Sequence, residues 1–184
     1  MRNQPCYNKS GEFIGWFSRS CAVTNMVIAR DNKFNFYILA SKRGKGTPDP
    51  EFVGCWCLPC GYLDFDESIE QAARRETFEE TGVNVPPRNV TFKSYMGDPK
   101  GDKRQNVSFR FISFLNKPIS SYYLTSKYSE ADEVDDIAWI PLKKINNYKW
   151  AFNHKDLIKM FNLNKSTLFF KYCWFHIKNC LFKW

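Results

Sequence analysis

Six short stretches of the chain, residues 13–17, 21–29, 34–40, 89–96, 107–115 and 134–140, are apolar and rich in β-branched or aromatic residues, and each predicts a strand. The stretch at 34–40 ends in a loop over 41–50 that is rich in glycine, proline and basic residues. From 67 to 81 the apolar positions recur at helical spacing. Asp66 is the expected N-cap and Gly82 the expected stop, with no capping box because Ile69 lies three residues after Asp66. A second helix is predicted over 151–161, while the polar start, 1–10, reads as loose. No segment repeats. Strands interleaved with two helices predict an α/β domain over 19–161. It is preceded by an N-terminal segment, 1–18, with room for a first strand, and followed by a tail, 162–184.

The first helix carries the chemistry. On a 100° wheel with Ile69 at the origin, Ala72, Ala73 and Val83 fall within about 60° and form the stripe that should be buried. Glu76 and Glu80 fall within about 20° of the same direction, and Glu79 about 80° away. Carboxylates at i, i+3 and i+4 on a buried stripe repel one another and lose hydration. A cation relieves both costs, and oxygen-only donors suit Mg²⁺ or Mn²⁺. The competing reading is an acidic helix edge paired with basic residues, with Arg75 serving Glu79. Charge patterning favours the metal. Of the 19 acidic residues, 12 lie within 64–80 and 130–136, in a chain whose net charge is +8, so acidic clusters sit in a basic field that attracts polyanions.

Residues 61–83 fit G-x5-E-x7-R-E-U-x-E-E-x-G-U, with Gly61, Glu67, Arg75, Glu76, Glu79, Glu80 and Gly82 at the seven fixed letters. This pattern resembles the Nudix box, and a chance match in a chain of this length has odds on the order of one in a million. Two positions depart from it. Thr77 stands where the pattern has a bulky aliphatic residue. In the turn before the box, Trp56-Cys57-Leu58-Pro59-Cys60-Gly61 replaces the first glycine of W-x-L-P-G-G with Cys60. The resemblance implies an α/β/α sandwich with a mixed sheet that hydrolyses a nucleoside diphosphate linked to a further group. It implies that Glu76, Glu79 and Glu80 hold one to three Mg²⁺ ions, with Mn²⁺ a substitute. It also implies that Glu67 binds through water or supports the helix start, that Arg75 orients the carboxylates, and that the Cys60 backbone carbonyl is a ligand if the turn needs no positive φ there. A further carboxylate from a late loop is expected as base or ligand. Glu133 is the first candidate, with Glu130 and Asp132 behind it, against the reading of a solvated loop acid. Short matches at 98–102 and at Phe152-Asn153-His154 resemble the ADP-ribose pyrophosphatase branch, where F-D-H is usual. They place ADP-ribose or a nucleotide sugar ahead of (d)NTPs and the 5′ end of RNA as substrate. A non-catalytic nucleotide sensor is the alternative, against which the intact box argues.

The remaining features are less specific. Arg43, Lys42 and Lys45 are expected in a mobile basic loop that either reaches a substrate phosphate or merely solubilises the surface. Cys55, Cys57 and Cys60 invite a zinc reading, against which stands their alternation along a strand with no fourth ligand. Trp16, Phe17, Phe109 and Phe111 stack on a base or fill the core. His154 reads as a structural residue at a helix start. The tail has four lysines, no acid and seven aromatic residues, and on a helical wheel Phe169, Cys173, Ile177, Cys180, Leu181 and Trp184 share a face. It suits packing on the domain, a homodimer contact, a membrane-surface helix or a loose end. With seven cysteines, no leader pattern and no apolar run of membrane-spanning length, a reducing, cytoplasmic setting is expected.

Overall fold

Strand β3 (Cys21–Arg30) is buried on both sides along most of its length, which places it at the centre of the sheet. The computed structural model describes residues 3–100, 104–161, 166, 168–170 and 172–174. Around β3 lie β4 (Phe36–Arg43), β5 (Trp56–Cys57), β6 (Cys60–Tyr62), β7 (Val90–Met96), β8 (Val107–Pro118) and β9 (Val134–Pro141). The main path runs β5-β4-β3-β8-β7, with β6 added on β3 and β9 on β4. Only β3 and β8 are parallel, so the sheet is mixed, as expected.

The period-two alternation of the strands sorts the core into two layers. Met26, Ile28, Ile38, Ala40, Ile112, Phe114 and Ile140 face helix α2 (His154–Met160), where Leu157 and Ile158 meet them. On the opposite face, Val23 and Phe111 pack against Ala72 and Ala73 of helix α1 (Ile69–Thr81), and Val27, Ala29, Leu39 and Leu115 pack against Val83 and Val85 just beyond it. Helices flanking a mixed sheet on both sides give the α/β/α sandwich. The apolar stripe read from the wheel is the one that is buried.

Several details differ from the sequence reading. Helix α1 starts two residues later, with Ser68 rather than Asp66 as N-cap. Ser68 Oγ accepts from the Gln71 N–H, and Gln71 Oε1 accepts from the Ser68 N–H, so a capping box is present. Asp66 instead adopts φ 64° in the preceding turn. The polar start is not loose. Gln4–Tyr7 forms β1 and pairs with β2 (Phe13–Phe17) in a separate two-stranded sheet. The turn between them is set by Asn8 Oδ1, which accepts from the Ser10 and Glu12 N–H groups. The second helix spans 154–160 rather than 151–161.

In the tail, the buried residues are Leu168 and Tyr172, one helical turn apart, whereas Phe169 on the anticipated face is exposed. Tyr172 O–H donates to the Asn116 carbonyl at 2.6 Å and accepts from Arg30 Nε at 3.1 Å, so this part of the tail packs on the domain. Ile177, Cys180, Leu181 and Trp184, and residues 101–102 of the short match at 98–102, lie outside the described residues. So does the Trp16 side chain. Phe111 is core, and Phe17 is exposed.

The Thr77 departure has a partner. Beneath α1, Ser113 Oγ donates to Asn25 Oδ1 at 2.8 Å, and Asn25 Nδ2 donates to Thr77 Oγ1 at 3.0 Å. Thr77 Oγ1 in turn donates to the Ala73 carbonyl at 2.7 Å. All three side chains are buried, and the chain of donors satisfies each. Thr77→Val, which keeps the shape and removes the acceptor, is expected to lower unfolding stability by about 1–2 kcal/mol in a denaturant titration. Ser68→Ala is expected to cost about 1 kcal/mol through the cap, additively with Thr77→Val.

Candidate active site

The capping box fixes where α1 begins, and Gly82 at φ 72° stops it with its N–H on the Phe78 carbonyl. That register aims Glu76 and Glu80 at the turn between β5 and β6. Glu80 is 5 % exposed. Its Oε2 accepts from Ser41 Oγ at 2.6 Å, and its Oε1 from the Cys60 N–H at 3.3 Å. Burial pushes the Glu80 carboxyl well above its usual range, against the pull of the Ser41 hydroxyl. Glu76 is also largely enclosed, and burial raises it to about 7 although Arg75 opposes the shift.

Arg75 ties the acidic residues together. Its Nη1 donates to Glu76 Oε1 at 2.8 Å and to Glu79 Oε2 at 2.9 Å. Its Nη2 donates to Glu67 Oε1 at 2.7 Å and to the Tyr62 carbonyl at 2.8 Å. Glu67 also accepts from the Asp64 N–H at 2.9 Å, which ties it to the turn that leads into α1. Gly61 closes the space above. A β-carbon there would come within 2.2–2.3 Å of the Glu76 carboxylate, so only glycine lets the β6 backbone lie against it. Cys60 has no positive φ, which removes the condition attached to its replacement of glycine. Cys57 is buried with Sγ 3.2 Å from Ser41 Oγ.

Glu133 arrives from the loop before β9. The backbone N–H groups of Gly44 and Gly46 donate to the Glu133 and Asp132 carbonyls at 2.7 and 2.8 Å. A β-carbon on Gly44 or Gly46 would meet that loop at 2.2–2.3 Å. The two loops are thus locked together, and Glu133 is raised above its usual range by burial and then by Glu130. Glu130 and Asp132 remain exposed.

Arg43 does not lie in a mobile loop. It ends β4, is 7 % exposed, and pairs with Asp49 at 3.1 Å, its guanidinium 5.1 Å from the Phe152 ring. Arg104 contacts the same Asp49 and the same ring. Arg43 Nε and Thr47 Oγ1 are buried with no hydrogen-bond partner among the described residues. Lys45 is exposed, and Lys42 pairs with Asp135. His154 is held neutral, with its pKa lowered to about 3 by burial, and its Nδ1 accepts the Leu58 N–H at 3.0 Å, a structural role. Sequence reasoning missed Ser41, Asp49 and Phe152. For Ser41 the only signal was a small polar residue closing an apolar strand. Asp49 had none and Phe152 appeared only within a short family match, because both reach Arg43 through folding.

The donor set suits a hard divalent cation. Glu80 is buried beside the largely enclosed Glu76 with no lysine or arginine bonded to it, and Glu76 Oε2 and Glu79 Oε1 make no hydrogen bond among the described residues. Among those residues no three acidic, imidazole or thiol groups are gathered closely enough to hold an ion as they stand, since Arg75 occupies one oxygen each of Glu76 and Glu79.

Residues 20–161 match the NUDIX domain model. The chain is 32 % identical over 133 residues to an ADP-ribose pyrophosphatase of Methanocaldococcus jannaschii, covering 72 % of this chain and 68 % of that protein. Its fold is similar to the NUDIX domain of Shewanella oneidensis NrtR in complex with ADP ribose, at TM-score 0.64 and 23 % identity over 83 % of this chain and 90 % of that one. It is also similar to a bifunctional NMN adenylyltransferase/ADP ribose pyrophosphatase of Francisella tularensis complexed with AMP and a Mn ion. That match has TM-score 0.62 and 26 % identity, over 78 % of this chain and 41 % of that one. With the box complete on α1 and the domain matched from end to end, the chain belongs to the Nudix family of pyrophosphohydrolases.

Proposed function

We propose that the protein hydrolyses the diphosphate of ADP-ribose, or of a closely related nucleotide sugar, with Mg²⁺. The observation that carries this reading is the pairing of an enclosed carboxylate set, Glu76, Glu79 and Glu80, with a nearby buried guanidinium, Arg43, whose Nε still lacks an acceptor. The similarity to the M. jannaschii enzyme supports the choice of substrate. Glu76, Glu79 and Glu80 would hold Mg²⁺, or Mn²⁺ in its place, with Glu67 through water and the Cys60 carbonyl as further donors. The bound cation supplies Lewis-acid neutralisation of the diphosphate and a lowered pKa for water.

This chain's residues do the rest. Arg75 keeps the carboxylates converging, and its bonds must loosen for the set to close on an ion. Glu133, raised by burial, takes a proton from the attacking water. Asp49 and Phe152 hold Arg43 toward a phosphate oxygen, and Lys45 adds charge from the exposed loop. Water adds to one phosphorus and the P–O–P bridge breaks, leaving AMP and ribose 5-phosphate.

The test is a product analysis over ADP-ribose, nucleotide sugars, dNTPs and 5′-capped RNA in Mg²⁺. ADP-ribose is expected to be turned over best, with kcat lower by at least about 10²-fold in Glu80→Gln and in Glu133→Gln. Preference for a dNTP or RNA would overturn the substrate, and binding without turnover would make the protein a sensor. Gly61→Ala is expected to lose activity as Glu76→Gln does while unfolding at a similar denaturant concentration, because the added methyl displaces the Glu76 carboxylate.

The pH dependence of metal-free stability follows from Glu76. Its pKa is raised from 4.5 unfolded to about 7 folded, so the folded state holds the extra proton between those values. The stabilisation is complete below pH 4.5 and is lost as pH rises through about 7. Glu76→Gln should flatten this part of a pH–stability profile, and Mg²⁺ should restore wild-type stability most strongly above pH 7.

A further inference from the structure

Beyond the C-terminal end of α1, residues 122–128 fold back over the helix. The Thr125 N–H donates to the Thr81 carbonyl at 3.0 Å, and the missing β-carbon of Gly82 makes room for the Thr125 methyl. Between this segment, the turn at Pro87–Asn89 and the end of β8 lies a groove of about 520 Å³, a size that suits a small organic ligand. None of Glu67, Glu76, Glu79, Glu80 or Glu133 lines it.

Its lining has an unusual composition. Arg88, Lys117 and Lys127 contribute three positive charges, no acidic residue lines the groove, and no ion pair to any of the three forms among the described residues. Lys127 Nζ lies over the Tyr128 ring, and three cations without an acidic partner along one groove suit an anion. Flat aromatic surface lies beside them. Tyr128 is covered by Phe78, stacked with centroids 4.5 Å apart and planes at 29°, and by Lys127 Nζ at 4.6 Å from its centroid, which leaves Tyr123, 83 % exposed, as the open aromatic face. A planar ring lies well against such faces.

Two lining amides are incompletely bonded. Asn89, 1 % exposed, donates through Nδ2 to the Phe114 carbonyl, yet its Oδ1 is buried and accepts nothing among the described residues. Asn116 Oδ1 is in the same condition. A buried acceptor left open is costly, and an N–H donor seated against these groove-lining amides would remove that cost.

Anion, planar ring and N–H donor describe one class of molecule. We propose that this groove is a second, metal-independent binding site for a nucleoside monophosphate whose base carries an exocyclic amine. The phosphate lies among Arg88, Lys117 and Lys127, the base lies on Tyr123, and the amine faces the amide carbonyls. The inference stands apart from the hydrolytic site and needs none of its residues.

Calorimetric titration of the full chain in EDTA with AMP, ribose 5-phosphate and inorganic phosphate tests it. AMP is expected to bind with Kd of about 1 mM or tighter, equally well to wild type and to Glu76→Gln/Glu80→Gln. Arg88→Glu/Lys127→Glu is expected to weaken AMP at least tenfold. Tyr123→Ala, at a solvent-facing position where folding is not at stake, is expected to weaken it about fivefold or more and to leave inorganic phosphate unchanged. Ribose 5-phosphate should bind more weakly than AMP. Absence of AMP binding, its loss in Glu76→Gln/Glu80→Gln, indifference to both groove variants, or equal affinity for AMP and ribose 5-phosphate would overturn the proposal. Should the double charge reversal fail to fold by circular dichroism, Tyr123→Ala decides alone.

Discussion

The constraint on which the structure turns is the burial of acidic side chains on the inward stripe of one helix. Glu80 and Glu76 occupy positions where α1 elsewhere presents Ala72 and Ala73 to the sheet. A carboxylate there loses its hydration, and two of them also repel. Every neighbouring feature mitigates that cost. Ser41 and the Cys60 N–H donate to Glu80, Arg75 bridges Glu76, Glu79 and Glu67, and the turn at Gly61 lies flush against Glu76. Even so, burial wins for Glu76 and Glu80, and both remain raised. The helix is left with a demand for positive charge that Arg75 meets only on one side. The metal reading rests on that remaining demand.

The same constraint explains which departures from the family pattern the fold tolerates. Cys60 replaces a glycine without harm because its φ is not positive and its contribution to Glu80 is a backbone N–H, which any residue but proline supplies. Thr77 replaces an aliphatic residue because Asn25 lies on β3 directly beneath it and needs an acceptor. Gly44 and Gly46 show no such latitude, since backbone atoms occupy the space a side chain would take, and at Gly61 a side chain would displace the Glu76 carboxylate. Substitution is possible where a backbone group does the work and closed where two segments touch.

Much of this was legible in the sequence, and what was not is instructive. The α1 stripe and its out-of-place carboxylates could be read from the wheel because helical periodicity is local information. The strands could be read because most are continuous apolar runs. The N-cap was misplaced by two residues because Asp66 and Ser68 are both good caps, and only the reciprocal bond from Gln71 separates them. The tail's buried face was misjudged because Phe169 and Tyr172 are similarly apolar. The choice is made by Asn116 and Arg30, which reach the Tyr172 hydroxyl from 56 and 142 residues away in sequence. The Arg43–Asp49–Phe152 assembly was invisible for the same reason: β4, the loop after it and the start of α2 meet only in the folded chain.

The second half of α1 and the chain beyond its C-terminal end thereby acquire opposite electrostatic tasks. Through its middle, one flank concentrates acids that require a cation. Past its C-terminal end, the chain folds over a groove lined by bases and no acid. Helix polarity bears on both. The partial negative charge of the C-terminal carbonyls suits cations better than anions at that end. The box motif fixes Glu79 and Glu80 only three residues and two residues before Gly82, so their repulsion by the helix end is built into the spacing itself. Positive charge gathered past Gly82 suits the same helix end from outside the motif.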